Sequence, residues 1–189
     1  MATGSYQDTD TDTVVTGNNQ LESTNWFPPP ADLEGWVAMP NGILCGWRAK
    51  EIWFSEQYRP HAWNPNNVLN TSWEIVGMGV IGQTVIVCTV GHPAAVTGIN
   101  PASMVMASVT AFEPCVSRGS IVSTPDGVYY ASPNGLILAN GGQFLNVTQK
   151  VMSKDKWQGF VRLPLLRSTR VGTAYLDRKS TRLNSSHTD

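Results

Sequence analysis

The sequence predicts an all-β chain, a partial β-propeller with about three blade-like repeats of 42–43 residues. Three observations lead there. From Trp36 onward, short apolar runs are broken by Gly, Pro and Asn, which is strand chemistry with turns between. Helical periodicity is nearly absent, and only "VTQKVMSKDKW" (Val147 to Trp157) predicts a short helix. The runs also recur: Ile43-Leu44-Cys45-Gly46, Ile86-Val87-Cys88-Thr89 and Val128-Tyr129-Tyr130-Ala131 start 43 and then 42 residues apart.

Each element of the unit has its own signal. Val37, Val80 and Val122 stand six residues before each run and mark a first strand; the run itself is the second. The turns "WRAKE", "VGHPA" and "SPNGL" follow, and third strands open at Ile52, Ala95 and Ile137. A longer connection closes the unit, with Pro60-His61-Ala62-Trp63 and Pro101-Ala102-Ser103-Met104 in related places. A period of 40–45 residues with about four strands is the size of one propeller blade, and a ring needs 4 to 8 of them. Regularly spaced strands also fit a β-sandwich, which stands as the alternative.

The ends divide from this core. Residues 1–35 form an acidic, proline-rich lead-in: "DTDTDT" is followed by "NWFPPPADLEGW", whose three prolines favour an extended linker. Asp8, Asp10 and Asp12 lack the Gly and distal Glu of a calcium loop. Residues 36–160 carry the repeats, and 161–176 are expected to begin a truncated segment. Residues 177–189 contain "DRKSTRLNSSH", which reads as the translation of a DNA sequencing adaptor and is set aside as an artefact, with the reading frame expected to have run off a fragment.

Composition narrows the function. The formal net charge is −1, with no basic stripe for phosphate binding, so nucleic acid is not expected as a sequence-specific partner. Cys45, Cys88 and Cys115 are odd in number and widely spaced; buried thiols are expected rather than a disulfide framework or a zinc site. No apolar run reaches eighteen residues, and the beginning is too polar for a secretory signal.

"FSEQYRPHAW" (Phe54 to Trp63) gathers Ser55, Glu56, Tyr58, Arg59 and His61. It lacks the Gly-x-Ser-x-Gly elbow that exposes a serine nucleophile. Ser55 and Glu56 fall in a predicted third strand, while His61 is expected to bond a loop carbonyl with its ring beside Trp63. "STPDGVYY" approaches a sialidase Asp-box, but Asp126 and Gly127 are adjacent, so a hairpin turn is expected. His61 and His92 make a weak metal case. No catalytic, cofactor-binding or metal residue is assigned, and no cofactor is expected.

The strings "NWFPPPADLEGWVAMPNGIL", "EIWFSEQYRPHAWN", "GVIGQTVIV", "TGINPASM", "PCVSRGSIVS" and "GVYYASPNGLIL", in that order between Asn25 and Trp157, resemble a group of tailed-bacteriophage and prophage virion proteins. Those relatives are much longer. The resemblance implies a propeller-like module in a tail or neck component, in rings whose subunits form a conduit for DNA, made in the bacterial cytoplasm and residing in the virion. Other virion proteins are then the partners. It carries over no catalytic residue, only structural ones, among them Trp26, Asn41, Gly42, Ser55, Tyr58, Cys115, Arg118 and Ser132; a pairing of Arg118 with Glu56 between blades is one expectation. Two other functions remain open. A sugar- or host-surface-binding propeller would stack sugars on Trp47, Trp53 and Trp63. A glycosidase-like propeller would need two facing carboxylates from Glu51, Glu56, Glu74, Glu113, Asp126 and Asp155.

Overall fold

The computed structural model describes Ser23 and residues 26–161, so Asp8, Asp10, Asp12 and the segments 162–176 and 177–189 lie outside the described residues. Strands β1 (Gly35–Ala38), β2 (Leu44–Arg48), β3 (Glu51–Glu56) and β4 (Arg59–Asn70) form one antiparallel sheet in that order. A second sheet holds β5 (Ile75–Ile81), β6 (Thr84–Thr89), β7 (Ala94–Thr97) and β8 (Val105–Ser108), and a third β9 (Val122–Thr124), β10 (Gly127–Ser132), β11 (Gly135–Asn140) and β12 (Gln143–Asn146). Each sheet is an up-and-down meander, and the three pack face to face in chain order. A sandwich has two sheets; here are three successive propeller blades.

Burial explains why the second strands read as unbroken apolar runs. Val85 and Val87 of β6 join Cys45, Trp47, Ile52 and Phe54 in the core between blades one and two. Their neighbours Ile86 and Cys88 point the other way, into a core with Val128, Tyr130, Ile137 and Ala139. A strand buried on both faces loses its polar alternation.

The register corrects the second repeat spacing. Val80 pairs with Val85 and Val87 with Ala94, while Ser123 pairs with Val128 and Tyr130 with Ile137. Adding 43 therefore maps the hairpins of blade two onto those of blade three. The 42-residue spacing had slipped by one, and a one-residue slip exchanges the two faces of a strand. The physical reason is that Val128, Tyr129 and Tyr130 are all apolar, so pattern alone does not set their facing.

Blades two and three approach closely at two glycines of β5. A Cβ on Gly79 would lie 2.5 Å from a methyl of Val128, and one on Gly77 would lie 2.7 Å from Ile121. Arg118, just before β9, reaches back across blade two. Its guanidinium stands 4.9 Å over the Trp47 ring and Nη1 donates to the Glu34 carbonyl at 2.8 Å. Arg118 does bridge blades, but to Glu34 and Trp47 rather than to Glu56, whose carboxylate accepts from Asn67 at 3.5 Å.

The helix, α1 (Lys154–Val161), starts later than expected. Val147 N–H instead bonds the Leu136 carbonyl, and the Leu136 N–H bonds Thr148 Oγ1, so the first residues of that segment extend the β11–β12 pairing. The helix is held to blade three by Trp157, whose indole N–H donates to the Ser132 carbonyl at 2.7 Å. Among the described residues no helix is long and apolar enough to cross a membrane.

Candidate functional site

The residues that resemble chemistry are held by the fold. Ser55 is fully buried where β3 bulges against β4. Its Oγ accepts the Leu44 N–H at 2.9 Å and donates to the Glu56 carbonyl at 3.1 Å, which ties β2 to the bulge. Ser55→Ala removes the partner of that part-buried N–H and leaves a gap at a fully buried position, so the expected cost is about 1–3 kcal/mol, read as a lowered urea midpoint. Tyr58 has φ 57 and its ring lies on Gly42, where a Cβ would sit 2.4 Å from the ring. His61 is exposed and packs edge-to-face with Trp26, ring centroids 5.7 Å apart, not with Trp63 as expected; the Arg59 guanidinium stands 4.4 Å over the same Trp26 ring. Trp63 turns inward and donates to the Pro60 carbonyl at 2.8 Å.

The charged and ionisable groups are likewise engaged. Arg48 holds Asp32 through two contacts of 2.9 Å and Glu51 at 2.6 Å, and its hydrogen bonds pull both carboxyls below the usual range. The Trp53 indole N–H also donates to Glu51. Glu113 accepts from Ser132 at 2.6 Å and Asn134 at 3.1 Å, while the Tyr130 hydroxyl donates to its carbonyl. Among the described residues no three His, Cys, Asp or Glu are grouped to hold a metal ion. All three cysteines are buried and free. Burial pushes the Cys45 thiol up to about 12 and raises Cys88 as well, so both stay protonated and unreactive at neutral pH.

The tryptophans proposed to stack sugars do not present open faces. Trp47 and Trp63 are each 2 % exposed, and half-buried Trp53 lies under the Arg48 guanidinium at 5.0 Å.

A different aromatic group is open. Because the strands alternate in direction, the connection into β5, the β6–β7 turn and the exit from β8 meet at one end of blade two. They bring together Trp73, His92 and Phe112, with centroids 5.1 Å apart for His92–Phe112, 6.3 Å for Trp73–His92 and 6.5 Å for Trp73–Phe112. Trp73 is 42 % and Phe112 55 % exposed. Beside them runs a groove of about 380 Å³, at the seam of blades one and two, lined by Trp73, His92, Pro93 and Met106 with the hydroxyl residues Thr71, Ser72, Ser108 and Thr110.

Buried hydroxyls fix these connections. Thr71 Oγ1 lies 3.0 and 2.7 Å from the Lys50 and Trp73 carbonyls and shares its one proton between them. Thr89 Oγ1 accepts the Gly91 N–H and donates to the His92 carbonyl. His92 Nδ1 bonds the Ala111 carbonyl at 3.1 Å. Gly91 is required here: a Cβ would fall 2.4 Å from the Trp73 indole, which lies flat on the Gly91 backbone. Of this group only His92 was legible as a candidate, and for a metal; Trp73 and Phe112 sit 39 residues apart in connections with no periodic signal.

No family model matches the sequence, and no curated protein does. Among solved structures, the N-terminal domain of Nup159 aligns with a TM-score of 0.42 and 6 % identity, over 60 % of this chain and 29 % of that one. The chain thus spans less than a third of that structure; its own sheet order and face-to-face packing make the three sheets blades.

Proposed function

We propose that this chain is a non-enzymatic structural module of a tailed-phage virion, an arc of propeller blades in a tail or neck component. It joins other virion proteins in a ring that encloses a DNA conduit. One observation carries the assembly part of this reading. Ile86 and Ala95 of blade two are 0 % and 6 % exposed because blade three covers them. Their counterparts 43 residues on, Tyr129 and Leu138, are only half-buried, and Leu145 beside them is 56 % exposed. Val122, Tyr129, Leu138 and Leu145 pair directly across the four strands of blade three, so they form one apolar row on its far face. A row of this kind fits burial against a further sheet.

The virion part is supported by the motif order between Asn25 and Trp157, and by the structural engagement of Ser55, Glu51 and Glu113. An antibody raised against the chain tests it on particles purified from a lysate of cells carrying the gene. Immunogold label at the tail or neck is the expected result. Abundant chain in the soluble fraction with unlabelled particles would overturn it.

A further inference from the structure

We propose that the groove beside Trp73 and His92 binds a neutral sugar. The site goes beyond the assembly role, since it stands at the seam of blades one and two rather than on the far face of blade three.

Four features of the groove point to this ligand. First, a pyranose has one face of C–H groups and a rim of hydroxyls. The groove offers an aromatic plate with Ser72, Ser108 and Thr110 around it. An exposed indole gives large contact area at a low entropic cost. Second, the plate is already in place. Trp73 rests on Gly91, and its chain segment is fixed by the Thr71 hydroxyl, so little ordering is lost when a ligand arrives. Phe112 and His92 stand edge-on to each other and brace it from the side.

Third, the histidine is oriented. A carbonyl only accepts, so the Nδ1 that faces Ala111 must carry the proton, and in the neutral ring Nε2 is then an acceptor for a ligand hydroxyl. Fourth, none of the lining residues is Asp, Glu, Lys or Arg. An anionic or cationic ligand would shed its hydration there without a counter-charge, whereas an uncharged polyol would not meet that cost. The size also fits a small ligand, since about 380 Å³ is within the range of roughly 300–1,000 Å³ seen for such sites.

The test uses the full chain and four probes: cellotetraose, chitotetraose, the anionic tetramer of galacturonic acid, and a decaproline peptide. Saturation-transfer NMR and titration calorimetry read binding. One or both neutral tetramers should bind, with the ring C–H protons receiving the strongest transfer. Trp73→Ala should weaken that binding by about tenfold or more, as expected for loss of an aromatic anchor. Ser108→Trp fills the groove from the exposed outer strand and should block binding while leaving the fold intact. Trp36→Ala, which removes an exposed indole on blade one, should leave it unchanged. No binding of either neutral tetramer overturns the proposal. So does preference for the galacturonate or the decaproline, or undiminished binding by the Ser108→Trp chain.

Discussion

Tyr130→Ala should destabilise the chain by about 3–5 kcal/mol, the range for an aromatic truncated in a packed core. Tyr130 is fully buried and among the largest side chains that are. It sits between Ile86 and Cys88 of blade two and Val128 and Ile137 of blade three, and so belongs to the contact that joins those blades. A natural domain has about 5–15 kcal/mol in all, so the loss takes a large share of it. The loss should also be local. Blades are held chiefly by their neighbours, so blade three should unfold first and the urea transition should broaden or split. Tyr130→Phe separates the two contributions of the side chain. It keeps the ring and removes only the hydroxyl bond to the Glu113 carbonyl at 3.0 Å, so about 1 kcal/mol is expected. A Tyr130→Ala chain that unfolds in one transition with an unchanged midpoint would show that this interface does not hold blade three.

The parts of this fold that were legible are those whose sequence pattern follows from local physics. The second and third strands announced themselves because blades bury both faces, and the β9–β10 and β10–β11 hairpins did so through Asp126-Gly127 and "SPNGL"; the β11–β12 turn is built on two further glycines. Gly141 and Gly142 have φ of 55° and 91°, where glycine is favoured. The fourth strands gave no such signal. β4 reads "RPHAWNPNNVLN", with two prolines and four asparagines in a twelve-residue strand. Proline is tolerated there because β4 is an outer strand, whose far edge need not donate to a ladder. β8 and β12 are only four residues long and mostly exposed. The proline-rich lead-in is ordered against blade one: Phe27 exchanges backbone hydrogen bonds with Trp63 of β4 and Leu33 lies over Gly46. It therefore covers the outer face of blade one. The aromatic groove was illegible for a different reason: Trp73, His92 and Phe112 come from three separate connections, and only the closed blade sets them side by side.

In the proposed assembly, Leu145→Lys should exclude the chain while leaving its own fold intact. Leu145 is more than half exposed in β12, so the substitution creates no cavity and the isolated chain should keep its urea midpoint. In an assembled state, with a sheet laid over Val122, Tyr129, Leu138 and Leu145, the ammonium would be trapped among apolar groups. An unpaired buried charge of that kind costs several kcal/mol or forces the lysine to give up its proton. Even about 2.8 kcal/mol lowers an association constant about a hundredfold. Val105→Lys makes the comparison fair: Val105 is 64 % exposed on the outer strand of blade two, away from this row, and receives the same charge. Complementation of a deletion by each variant, with the chain quantified in purified particles, gives the reading. Loss with Leu145→Lys alone places an interface on the far face of blade three. Equal incorporation of both variants would mean that the face stays open in the particle, and the assembly reading would lose the observation that carries it.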